Sequence, residues 1–137
     1  MLTNTGHHIR AVPIHRSLIK LFPEEPHHSN QLAVTYLNIN NPYFFRMVEA
    51  KRVLTNILRI WPQNGFAMAH YGFILKVGDN NIEKSVGFLR HGIASREPGT
   101  LDGRFFFQLG DALMRLGRGN EALEMRPSYI PKVCPQL

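Results

Sequence analysis

One cysteine in 137 residues, Cys134, excludes an intrachain disulfide, so the fold has to be held by packing alone. Apolar runs are short. None approaches the roughly 18 residues of a membrane span, and the opening MLTNTGHHIRAVPIHRSL lacks the apolar centre of a signal peptide. No glycine-rich phosphate loop is present, since Gly110, Gly117 and Gly119 fall within and just after a helical pattern, not between a strand and a helix. Positive charge is in excess without being gathered. Sixteen Lys and Arg against ten Asp and Glu give a net +6, divided as seven against three over residues 1–62 and nine against seven over residues 63–137. Such a spread reads as a mixed, solvated surface, and nucleic acid is not an expected partner.

What is present is helical, and 44% hydrophobic content is enough for the core of one small domain. In GFAMAHYGFILKV the residues Met68, Tyr71, Gly72 and Leu75 recur at three and four and fall on one stripe. A turn follows at 78–81, where Asn80 and Glu83 have the spacing of a capping pair. A second helix runs through Ile82, Ser85, Val86, Leu89 and Ile93 and stops before Pro98 and Gly99. The same unit recurs downstream, with Asp102 as cap, Phe106, Leu109, Gly110 and Leu113 as stripe, and a second helix starting at 121–125. Upstream, Leu32, Ala33 and Tyr36 precede Ala50, Leu54 and Ile57 in the same order.

Small residues at 33, 72 and 110 are 39 and 38 apart, and the closing prolines at 23, 62 and 98 are 39 and 36 apart, both in the range of helical repeats. The expected fold is therefore all-α, a short tetratricopeptide-like helical-hairpin solenoid of about two and a half repeats. Residues 1–14 carry no pattern, 15–126 form the repeat region, and 127–137 are expected to be a disordered proline-rich tail. Residues beyond the 34 of a tetratricopeptide unit are expected in turns, the surplus around 41–50 among them. Ala33, Gly72 and Gly110 should let paired helices approach, faced by Ala50, Ser85 and Ala122. Tyr36, Tyr71, Leu75, Leu89, Phe106, Leu109 and Leu113 fill the space between them.

The concave face of such a solenoid holds extended peptides, and the register places Phe66, Ala69, Phe73 and Lys76 there, with Arg104, Phe107, Asp111 and Met114 in the next unit. Apolar contacts together with Lys and Arg pairing to an acidic peptide are the expected mode of binding. The alternative for Phe66, Phe73 and Phe107 is core. No active site assembles. The seven histidines, at 7, 8, 15, 27, 28, 70 and 91, do not converge in any pattern, so no metal site and no catalytic residue is expected.

The stretches NGFAMAHYGFILK (64–76), EPGTLDGRFFFQLGDALMRLG (97–117) and SLIKLFPEE (17–25) resemble the tetratricopeptide region of the aspartyl/asparaginyl β-hydroxylase family over residues 15–125. The resemblance implies a parent enzyme anchored in the endoplasmic reticulum membrane. Its lumenal repeats would lead into an iron- and 2-oxoglutarate-dependent dioxygenase domain acting on Asp or Asn of epidermal-growth-factor-like modules. The sequence departs from that pattern after Ala122, where Arg126 and Pro127 replace a continuing apolar helix. The expectation is a truncated, non-catalytic fragment, without cofactor of its own, that positions a protein or peptide substrate. An independent adaptor binding a peptide partner is the other reading.

Overall fold

The computed structural model describes residues 4–39 and 43–124. Seven helices and no strand occur among them: α1 Asn4–Leu21, α2 Pro26–Asn38, α3 Tyr43–Ile60, α4 Gly65–Val77, α5 Ile82–Ala94, α6 Gly103–Arg115 and α7 Gly119–Glu124. Helix α2 opens on Pro26, where a missing N–H costs nothing. The side chain of Asn64 caps α4 by accepting from the Ala67 N–H at 2.9 Å, and Asp102 caps α6 by accepting from the Arg104 N–H at 2.7 Å. At α5 the cap is Asn81, one residue later than the spacing suggests, and its side chain accepts from the Lys84 N–H at 3.3 Å. Asn80 takes the left-handed turn position instead, with φ 55°, a conformation that asparagine tolerates better than most residues.

Helices α2 with α3, α4 with α5 and α6 with α7 pack as successive hairpins, α1 packs on α2, and α4 also touches α6. The first helices of the three hairpins are each 13 residues long and begin at Pro26, Gly65 and Gly103. Stacking of these first helices makes the chain a tetratricopeptide-like helical-hairpin solenoid. Two features were not legible in advance. The N-terminal segment is helical from Asn4 and carries Pro13 inside the helix. The surplus residues from Tyr43 to Ala50 lengthen α3 instead of a turn. The tail at 127–137, with Cys134, and the departure at Arg126 lie outside the described residues.

Two cores run through the stack. Ala33, Tyr36, Ala50, Leu54 and Ile57 form the first, with Tyr71 and Trp61 packed against it. Leu89, Phe106, Leu109 and Leu113 form the second, with Ala122 at its margin. Leu75 is buried as well, and buried Ser85 donates its hydroxyl proton to the Ile82 carbonyl at 2.6 Å. Each fully buried leucine contributes about 1.5–3 kcal/mol relative to exposure. Close approach is real at Gly72, where an added Cβ would lie 2.8 Å from the Leu89 backbone nitrogen, although Leu89 and Phe88 meet it and not Ser85. A tighter contact lies at Gly92, where a Cβ would fall 2.5 Å from the backbone nitrogen of Ala69. Gly110 is different from what the repeat pattern suggests: its nearest neighbour would be the Ala122 carbonyl oxygen at 4.0 Å, so no crossing demands glycine there.

Candidate functional site

The three first helices line one face, and along it run two adjoining hollows. The inner one, about 180 Å³, is walled by Val34 and Leu37 of α2, Met47 of α3, His70 and Phe73 of α4, and Arg104 and Phe105 of α6. The outer one, about 450 Å³, lies at the opening turns of α2 and α4 and includes Glu25, Asn30, Gln31, Asn64, Phe66 and Glu97. Phe66 and His70 divide them. Being four apart on α4 they stack, ring centroids 4.1 Å apart and planes 24° apart, and Phe105 meets His70 edge-on at 4.8 Å.

His70 is fixed chemically as well as sterically. Its Nδ1 lies 2.8 Å from the Phe66 carbonyl, which can only accept, so Nδ1 carries the proton and Nε2 is left as an acceptor in the neutral ring. Burial pushes the imidazole pKa below its usual value, with the Arg104 guanidinium adding to the effect, so the ring is neutral at pH 7.

The candidate groove residues divide into three groups. Phe73 and Arg104 line the inner hollow, and Phe66 lines the outer. Lys76 and Asp111 meet each other. Lys76 is only 8% exposed, and its Nζ donates to Asp111 Oδ2 at 2.6 Å and to Gln108 Oε1 at 2.5 Å, joining α4 to α6. That lysine, with Arg115, holds the Asp111 carboxyl below the usual carboxylate range. Phe107 and Met114 lie elsewhere, 68% and 61% exposed on α6, and do not line the hollows. Ala69 is buried against Gly92.

The cations expected to meet an acidic peptide are committed within the chain. Arg104 donates from Nε and Nη2 to the two oxygens of Asp102 at 3.1 and 3.0 Å, and Lys76 is held by Asp111. Sequence reasoning missed Val34, Leu37, Met47, His70, Phe105 and Asn30. The signal was available for two of them, because the register that singles out Phe73 and Lys76 falls on Val34 and Leu37 when it is set on Ala33.

An iron site of the facial kind needs two histidines and a carboxylate converging on one point. Among the described residues no three His, Cys, Asp or Glu side chains come together so as to hold a metal ion. These residues therefore do not fit such a centre. No described helix is long and apolar enough to cross a membrane.

No family model matches the chain. Among the curated proteins that match are the human aspartyl/asparaginyl β-hydroxylase, 46% identical over 100 residues or 73% of this chain, and its mouse counterpart at 45% over the same length. The chain spans about an eighth of their length, 12% of the human protein and 13% of the mouse protein. Over that shared segment, the chain is similar to the aspartyl/asparaginyl β-hydroxylases.

Proposed function

We propose that this segment is a non-catalytic scaffold that holds an extended polypeptide along the face of α2, α4 and α6. The observation that carries the reading is the inner hollow. It is largely apolar, about 180 Å³, and bounded by three different hairpins, which is the size and setting for one bulky side chain of a peptide laid along the groove between the first helices. His70 Nε2 and the Asn38 side chain would orient that side chain, while Arg104 stays on its own carboxylate.

The relatives are named for hydroxylating aspartyl and asparaginyl residues. Such an enzyme takes a polypeptide as substrate, and a groove that holds a chain in extended form is a useful accessory to it. On this reading the chemistry itself, with iron and 2-oxoglutarate, lies in parts of a parent enzyme outside this segment, and the segment contributes no cofactor of its own.

The test is a titration of the isotope-labelled chain with extended peptides from an epidermal-growth-factor-like module, read by amide shifts. Expected are shifts at Val34, His70, Phe73 and Phe105, with about tenfold weaker binding in Phe73→Ala. Absence of any shift there overturns the scaffold reading. Turnover of 2-oxoglutarate by the purified chain with added iron overturns the non-catalytic one.

A further inference from the structure

The outer hollow differs in chemistry from the inner one, and the difference specifies what a bound peptide should carry. Asn30 stands in its wall only 5% exposed. Its orientation is fixed by a chain of bonds. The Ala67 N–H can only donate, so the Asn64 oxygen that receives it at 2.9 Å is an acceptor, and the Asn30 group 3.2 Å from that oxygen must be its NH2. The Asn30 carbonyl oxygen is then turned the other way, buried and without a partner. An unpaired buried acceptor costs about 1–3 kcal/mol, which a ligand donor that reached it at the wall of the hollow would recover.

Two carboxylates flank it. Glu25 makes no cap bond to α2 and is paired with no cation among the described residues. Glu97 accepts the Gly65 N–H on Oε2 at 2.6 Å, which leaves Oε1 open. The hollow is thus acidic on a chain whose net charge is +6. The groove cations farther along, Lys76 and Arg104, are already neutralised by Asp111 and Asp102. A metal ion is a poorer occupant, since no three metal-ligating side chains converge among the described residues. A guanidinium or ammonium group brings both the positive charge and several N–H donors.

Distance then joins the two hollows. Asn30 and Leu37 are seven residues apart on α2, about 10 Å along its axis, and an extended peptide covers that in about three residues. We propose that the groove takes an extended peptide with a bulky apolar residue in the inner hollow and, about three positions away, an arginine or lysine whose cation enters the outer hollow between Glu25, Glu97 and Asn30. This rests on the peptide-groove reading above and adds the sign of the ligand's charge.

The experiment uses the full chain, isotope-labelled, and acetylated, amidated peptides with a leucine and, three positions to either side, an arginine, a glutamate or an alanine. The arginine peptide is expected to bind about tenfold tighter than the glutamate peptide, with shifts at the Asn30 side-chain amide and the Gly65 amide. Glu25→Gln, which breaks no side-chain bond among the described residues, should remove most of that preference. Equal binding of arginine and glutamate peptides, or an unchanged preference in Glu25→Gln, overturns the inference and leaves the groove reading standing. No shift from any peptide overturns both.

Discussion

The second and third hairpins follow the same repeat pattern, yet only one of them is closely packed. Each starts with a 13-residue helix carrying a glycine at its eighth position, Gly72 in α4 and Gly110 in α6. The second helices differ. Helix α5 has 13 residues, buries Leu89 fully and brings Gly92 onto the backbone of Ala69. Helix α7 has six described residues, none buried, and leaves Leu123 51% exposed. A glycine constrains a crossing only where a full partner helix lies against it. The pattern in the first helix does not by itself create the contact.

The largest expected contrast lies between two leucines. Leu89→Ala should cost roughly 2–5 kcal/mol, because it empties a fully buried site between α4, α5 and α6. Leu123→Ala should stay within about 0.5 kcal/mol, as for an ordinary surface position. Urea unfolding of both variants measures this, and equal losses would remove the contrast between the hairpins.

Gly92→Ala comes next. The added carbon meets backbone atoms of Ala69 at 2.5–2.7 Å, which no rotamer can relieve, so about 1–3 kcal/mol of destabilisation is expected despite the better helix propensity of alanine. A change to alanine at the glycine of the third hairpin's first helix should have the opposite sign. Gly110→Ala meets nothing closer than 4.0 Å and should gain about 0.5–1 kcal/mol, seen as a higher Tm. A loss there would mean that α6 and α7 pack as tightly as α4 and α5.

The smallest effect is electrostatic and bears on what holds α7 in place. Arg118 and Arg90 together hold the Glu121 carboxyl down to about 2, below its ordinary 4.5. Arg90 of α5 reaches Glu121 at 3.0 Å, so the carboxylate ties α7 back to the second hairpin. A depressed folded value means that the contribution is present above about pH 4.5 and is lost as pH falls towards about 2. Amide exchange should therefore open α7 in that window while α4 and α5 stay protected, and Glu121→Gln should abolish the pH dependence. Simultaneous opening of all three helices would count against a separate α7.

Much of the architecture could be read from residue order, because helix caps, stripe spacing and a period near 38 are local properties. Asp102 as a cap and the stripes through Leu89 and Leu109 needed no tertiary information. The candidate site was less legible. Phe73 and Arg104 follow from the register, but the same register set Phe107 and Met114 beside them, and those two stand exposed on α6 outside both hollows. Lys76 and Arg104 read as open cations because their partners stand in different places: Asp102 two residues from Arg104, and Asp111 on another helix from Lys76.

The sequence by itself determined an all-helical repeat, its three first helices and the face they share, since each depends on contacts between residues a turn or two apart. The tertiary structure alone decided which glycines are crossings, which charges are spent inside the chain, and which polar atom, the carbonyl of Asn30, is left without a partner. Most of these are contacts between residues far apart in the chain, as Gly92 with Ala69 and Lys76 with Asp111, which no local pattern encodes.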